Sequence, residues 1–483
     1  MANNVTERQS LYAGPRGTAV KILNRVERTD SYLDKLLDAE LKSNELSDLD
    51  KNLLAEIVHG VMRWQGRLDW VLNGFSHGNF SKSEINIKNT GRVALYQLLF
   101  LTHVPHYAAV NEAVEFIKRI RGETSGHLIN AVLRNIIRSL DAIHYPKPEE
   151  DLAQYLAVYY SHPLWMVKRW MTRFDREELE RFLTVNNEVP NLTLRINKLK
   201  IAPAEFLSML DNAKIAYQGS SFIDYFIKLK SLSGIGQMKM FQSGLFSIQD
   251  ESAALPVMLL DPRPGDRVID MCAAPGGKTT FLAELMNNQG EVLAIDKYES
   301  RLRIVHINCE RLGIRNVQLL VADANELDTP PADRVIIDVP CSGLGVLRKK
   351  PDIKWKREPE DIVRLARQQM SLLERGSQLV KPGGVLVYST CTTEPEENGM
   401  QIKSFLERHP DFMLDDASKF VNKAVVNAEG LIETFPHRHH IDGTFAARLV
   451  RSRDAVPVTI AQLEPEQPEP SQPETPQPEI PQP

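Results

Sequence analysis

The sequence contains no C-x-x-C pair, no apolar run long enough to cross a bilayer and no strong excess of either charge. Its four cysteines, Cys272, Cys309, Cys341 and Cys391, are scattered, which excludes the usual zinc and redox spacings, and no metal is expected. In a reducing compartment such cysteines are usually buried small hydrophobes. Residues Met1 to Ser10 are polar, carry Glu7 and Arg8 and precede no apolar run, so neither a signal nor a transit peptide is expected. The cytoplasm is then the default residence, without membrane contact. A net charge of -5 argues against a globally positive nucleic-acid binder. Five of the 63 acids lie in the last 20 residues, however, and without them the acids equal the 58 bases. Any RNA contact has to come from local basic patches.

At 483 residues, with 42% apolar and 25% charged, the chain has material for two or three folded units. Four early stretches repeat an apolar spacing of i, i+3, i+4 and i+7: Ala19, Ile22, Leu23, Val26; Leu54, Ile57, Val58, Val61; Val110, Ala113, Val114, Ile117; and Ile129, Val132, Leu133, Ile136. One stripe per helix buries against its neighbours, so residues 1–145 read as an all-α bundle. Arg119, Arg121, Arg134 and Arg138 on it read as a solvated helix face. Residues 150–245 read as a small α+β unit, with an aromatic helical stretch from Trp165 to Phe182, a strand Leu192 to Ile196, a helix Ala204 to Asn212 and a strand around Tyr225 to Leu229.

Over 246–453, apolar runs alternate with helical patterns: Arg267 to Met271, Val292 to Ile295, Val317 to Val321, Val335 to Val339 and Val385 to Tyr388. That alternation specifies an α/β unit with a mostly parallel sheet covered on both faces. Residues 456–483 form a Pro/Glu/Gln run expected to be disordered, because it buries too little to offset ordering entropy.

After the first strand of that unit the chain reads Asp270-Met271-Cys272-Ala273-Ala274-Pro275-Gly276-Gly277-Lys278-Thr279 and opens a helix. Glycines there admit a ligand close to the backbone, and the helix start offers unpaired N–H groups. A P-loop needs glycine where Cys272 stands, so nucleotide triphosphate chemistry is disfavoured. Asp296 ends the next strand, where a carboxylate accepts ribose hydroxyls of an adenosine-bearing ligand. Asp323 and Asp338 follow at the third and fourth strand ends. Acids at four successive strand ends beside a glycine turn mark a cofactor site.

Pro340-Cys341-Ser342-Gly343 follows the fourth strand and Ser389-Thr390-Cys391-Thr392 the fifth, which brings both cysteines to the carboxyl edge of the sheet. Carbon 5 of cytosine is too weak a nucleophile to take a methyl group from a sulfonium until a thiolate adds at carbon 6. A base then removes the carbon 5 proton, and the thiol leaves. One cysteine for attack and one assisting group fit this chemistry, and Asp338 is placed to steady the ring. Cys272 and Cys309 are given no catalytic role. The basic loop with Arg348, Lys349, Lys350, Lys354 and Trp355 lies shortly after Cys341, where cations beside an aromatic suit a phosphate backbone and a stacked base.

These residues resemble the bacterial 16S ribosomal RNA cytosine-5 methyltransferases of the RsmB (Sun/Fmu) family. The matching stretches are Asp270 to Thr279, Asp338 to Trp355, Tyr388 to Asn398 and Gln249 to Ser252, and the first third resembles a NusB-like RNA-binding domain. The resemblance implies a Rossmann-like methyltransferase domain, S-adenosylmethionine as cofactor and 16S rRNA as substrate, in a monomer. It also implies Cys391 as nucleophile, Cys341 as the residue assisting product release, and cofactor contacts at Cys272, Ala273, Ala274, Pro275, Gly276, Gly277, Lys278, Asp296, Asp323 and Asp338. Related DNA enzymes attack with the cysteine of the P-C motif, so the spacing alone leaves the two roles open. Thr392, Lys350 and Gly443-Thr444-Phe445 depart from the common family pattern without removing a reacting group. Another RNA such as tRNA as substrate, and a non-catalytic ribosome-assembly or transcription factor, are the alternative readings.

Overall fold

A computed structural model describes residues 11–29, 31–42, 46–76, 80–230 and 234–454. The expected disordered segment 456–483 lies outside them. The first unit is a helical bundle of α1 (Gly14–Arg28), α2 (Leu33–Lys42), α3 (Asp48–Gly74), α4 (Ile85–Phe100), α5 (His106–Arg121) and α6 (Glu123–Arg138). The four apolar stripes face its core, with Val114 only partly buried. α3 begins where the Ser47 hydroxyl accepts from the Asp50 amide at 3.2 Å. It crosses α4 closely at Gly60, where an added Cβ would overlap the Tyr96 ring. The arginines expected on a solvated face are on the surface, Arg121 pairing with Glu84 and Arg134 with Asn130.

Three short helices follow: α7 (Leu152–Tyr159), α8 (Leu164–Trp170) and α9 (Arg176–Val185). The single aromatic helical stretch read from Trp165 to Phe182 is therefore two helices. The break comes at Asp175, whose carboxylate caps α9 by accepting from the Glu178 amide at 2.8 Å. Next comes an antiparallel sheet of β1 (Leu192–Ile196), β2 (Gln218–Gly219), β3 (Phe226–Leu229) and β4 (Phe246–Ile248), in the order β2-β3-β1-β4, with α10 (Pro203–Asn212). β1 alternates. Leu194 and Ile196 bury with Phe206 and Leu210 of α10, while Arg195 points the other way into the third unit.

That third unit contains α11 (Glu251–Leu260), β5 (Arg267–Asp270), α12 (Gly277–Leu285), β6 (Glu291–Asp296), α13 (Glu299–Leu312), β7 (Val317–Val321), β8 (Ala332–Asp338), α14 (Pro359–Gln378), β9 (Val380–Thr390), α15 (Gly399–Arg408), β10 (Phe412–Asp415), β11 (Ile432–Glu433) and β12 (Phe445–Arg451). Its sheet runs β10-β12-β9-β8-β5-β6-β7. β5 to β9 are parallel, as the alternation predicts; β12 inserts antiparallel between β9 and β10, so the sheet is mixed. No helix among the described residues is long and apolar enough to cross a membrane.

The bundle and the third unit meet along the segment 348–357. Trp355 donates its indole N–H to the Met62 carbonyl at 2.6 Å, and Arg63 donates to the Arg348 carbonyl at 3.2 Å. Lys354 is fully buried and donates to the carbonyls of Arg63 and Ser161 and to Asn187. Burial, reinforced by the nearby Arg63 guanidinium, pushes its ammonium well below the usual lysine range.

Candidate active site

β5 ends at Asp270, and the chain turns through Cys272 to Gly276 before α12 begins. The Met271 amide donates to the Ile336 carbonyl at 3.0 Å and the Ala273 amide to the Ile295 carbonyl at 2.8 Å, so the turn is stitched to both neighbouring strands. Gly276 takes φ +100° against Val305, a backbone state that side chains disfavour. From the second unit, the buried Arg195 guanidinium donates to the Gly277 carbonyl at 2.9 Å and to Glu284 at 2.7 Å. It therefore grips the start of α12 from behind.

The acids line this turn. Asp270 is fully buried, and one of its oxygens accepts from the Thr279 hydroxyl at 2.8 Å while the other has no partner. Burial raises its carboxyl to about 6. Asp296 accepts from the Tyr298 amide at 3.0 Å and pairs with Arg301 at 2.9 Å. Asp323 sits two residues beyond β7, half-buried, and pairs with Lys297 at 3.0 Å. Its backbone contact to Asn325, helped by Lys297, holds it below the usual carboxylate range. Asp338, at the end of β8, accepts from the Ser389 hydroxyl at 2.9 Å and from Lys278 at 2.7 Å. Cys272 lies within the fields of Asp270, Asp338 and Asp296. Burial and these charges keep it a thiol, and Cys309 is likewise held protonated by burial, at about 11.

An unpartnered carboxylate oxygen, a close-approach glycine turn and acids at successive strand ends form a donor set that fits a cationic, adenosine-bearing cofactor. Asp296 suits the ribose and Asp270 the positive charge.

β8 and β9 then deliver the two cysteines. The sulfurs of Cys341 and Cys391 lie 3.2 Å apart, and the Cys391 amide donates to the Cys341 sulfur at 3.3 Å. The hydrogen bond between the thiols pushes them in opposite directions. Cys341 is held well above its ordinary value by that bond and by burial. Cys391 is lowered by the same bond, against burial, with help from Lys350 and Lys278. Of the two, Cys391 is the thiol shifted toward the thiolate.

The loops carrying them are locked. Gly345 donates to the Cys391 carbonyl at 3.1 Å, and its backbone lies so close to Gly443 and Cys391 that a Cβ would clash. Glu397 accepts from the Ser342 amide at 2.8 Å and from Gln369 at 2.9 Å. Arg357 donates to the carbonyls of Ser342 at 2.9 Å and Cys341 at 3.3 Å. Glu394 takes the Trp170 indole at 3.0 Å and pairs with Arg169 and Arg173. Arg357 and Glu397 were not singled out by sequence reasoning, since no spacing rule marks a residue that acts on a distant carbonyl. Glu397 lies inside the Tyr388–Asn398 stretch, and Arg357 two residues past the end of the Asp338–Trp355 stretch.

The basic loop needs correction. Arg348 is buried against Asp442 at 3.0 Å, and Lys354 is buried in the domain junction, so neither faces a phosphate. Lys349 pairs with Asp250 and Asp442, and the Trp355 indole packs on the bundle core. Desolvated cations satisfied by carbonyls and carboxylates join domains here. Lys350 alone of the five is exposed.

Comparison with known proteins shows three family matches along the chain: the NusB family over residues 14–138, an RsmF/B-like ferredoxin-like domain over 162–235, and 16S rRNA methyltransferase RsmB/F over 257–450. The chain is 37% identical over 443 residues to a Bacillus subtilis protein named "Probable ribosomal RNA small subunit methyltransferase B", spanning 89% of this chain and 97% of that one. It is 35% identical to ribosomal RNA small subunit methyltransferase B of Cronobacter sakazakii, over 90% of this chain and 98% of that one. The solved structure of PH0851 superposes with a TM-score of 0.75 at 28% identity, covering 90% of this chain and 99% of that one.

Proposed function

The chain belongs to the ribosomal RNA small subunit methyltransferase B family, and from that premise we propose that it methylates carbon 5 of one cytosine in 16S rRNA through a covalent bond to Cys391. The observation that carries this reading is the paired sulfurs 3.2 Å apart at the end of the strand beside Asp338. The cofactor is S-adenosylmethionine, which supplies an electrophilic methyl group.

The Cys391 thiolate adds to carbon 6, and the electrons of the 5,6 double bond pass to carbon 5, which takes the methyl group. Asp338, fixed by Ser389 and Lys278, accepts from the exocyclic amino group and holds the ring against the sulfur. Once Cys391 has become a neutral thioether, its pressure on Cys341 lapses. Cys341 releases its proton to solvent, accepts the proton from carbon 5, and the electrons of that C–H bond re-form the double bond as Cys391 departs. The target base has to leave its stack to meet both sulfur and methyl group. Cofactor contacts are assigned to Cys272 through Lys278, Asp296, Asp323 and Asp338, with Asp270 beneath the turn facing the cofactor's positive charge.

Bisulfite mapping of 16S rRNA from cells lacking the gene, before and after incubation with enzyme and S-adenosylmethionine, tests the reading. One cytosine should gain a 5-methyl group. Methylation confined to another RNA, or none at all, contradicts it.

A further inference from the structure

A cleft of about 640 Å³ lies between the helical bundle and residues 353–361 of the third unit. Arg28, Tyr32 and Gln65 line it from the bundle, and Trp355, Lys356 and Arg357 from the other side. The two acids in its wall are neutralised: Glu27 by Lys88 and Arg92, Asp361 by Arg364 and the Glu358 amide. The Arg28 side chain is 61% exposed, and its ion-pair partner Glu84 is 3.9 Å away. Tyr32 is 52% exposed, with the Lys356 ammonium 5.3 Å from its ring. The Gln65 amide has no hydrogen-bond partner among the described residues.

An open aromatic ring, an unspent amide and an exposed guanidinium are the groups that stack a base, read its edge and hold its phosphate. The position of the cleft matters as much as its chemistry. Arg357 lines it while donating to the carbonyls of Cys341 and Ser342, so one side chain separates this cleft from the catalytic loop. Drawing a target base out of its stack leaves its neighbours unstacked as well.

We infer that this cleft holds an unstacked nucleotide of the RNA substrate near the target cytosine, so that the helical bundle selects substrate at the catalytic loop itself. The inference rests on the RNA-methylating reading above. With an unmodified 16S rRNA transcript, Tyr32→Ala and Gln65→Leu should each raise KM and the filter-binding Kd about tenfold, the size of one lost stacking or edge contact. kcat should stay within about twofold, and calorimetric affinity for S-adenosylmethionine should be unchanged. Arg28→Glu, on an exposed side chain, gives the same readout should Tyr32→Ala misfold. Irradiating the transcript carrying 4-thiouridine should cross-link it to peptides containing Tyr32 or Trp355.

Unchanged KM and Kd in all folded variants, or cross-links that spare both peptides, overturn the inference. Cross-links through the cleft in an enzyme that methylates no cytosine uphold the cleft and defeat the catalytic reading instead. Intact methylation with indifferent variants does the reverse.

Discussion

Cys341 and Cys391, fifty positions apart in the chain, place their sulfurs 3.2 Å from each other, with the Cys391 amide also directed at the Cys341 sulfur. Their surroundings shift the two thiols in opposite directions, Cys341 up and Cys391 down, and that asymmetry separates two residues of identical chemistry.

The asymmetry is measurable without substrate. Iodoacetamide should label Cys391 before Cys341 as pH rises, because the contact between the sulfurs lowers Cys391 and raises Cys341. In Cys341→Ala that contact is gone, so labelling of Cys391 at pH 7 should slow at least about threefold. Peptide mass spectrometry across a pH series reads both rates, and preferential labelling of Cys341 would invert the assignment.

Asp270 predicts the pH dependence of cofactor binding. Its carboxyl is raised to about 6 by burial and has one unpartnered oxygen, so it carries its negative charge only above that pH. Affinity for the cationic cofactor should fall about tenfold between pH 7 and pH 5, and Asp270→Asn should flatten the profile. The sign for stability is opposite. The protonated form favours the cofactor-free fold, a contribution complete below the ordinary value of 3.8 and lost as pH rises through about 6. Calorimetric titration over pH checks the first point and thermal melts the second; a flat wild-type affinity profile would remove Asp270 from the cofactor site.

Two lysines four positions apart should behave differently. Lys350 is exposed and acts on Cys391, so Lys350→Ala should lower the salt dependence of RNA binding by about one charge. Lys354→Met should leave that slope unchanged. It should instead destabilise the protein by about 1–3 kcal/mol by orphaning the acceptors of Arg63, Ser161 and Asn187. A salt series of filter-binding curves beside thermal melts separates the two, and a reduced slope for Lys354→Met would place it on RNA.

Much of this was legible in the sequence for a physical reason. Amphipathic helices such as α1 and buried, apolar parallel strands such as β6 carry recognisable patterns, and the strand ends carry the acids and cysteines of the site. α4 was not legible, because it is buried nearly all round and has no single apolar stripe. The antiparallel β12 was missed because its pairing with β9 is a long-range fact. The loop 348–357 was misread for a related reason. A run of cations with a tryptophan looks the same whether it faces phosphates or carbonyls, and only the packing of α3 against it decides.

The most direct measurement is a denaturing gel of enzyme incubated with unmethylated 16S rRNA and S-adenosylmethionine. Cys341→Ala should accumulate a protein–RNA adduct because its thioether forms but is not resolved, whereas Cys391→Ala should form none. An adduct that survives the loss of Cys391 would contradict the account.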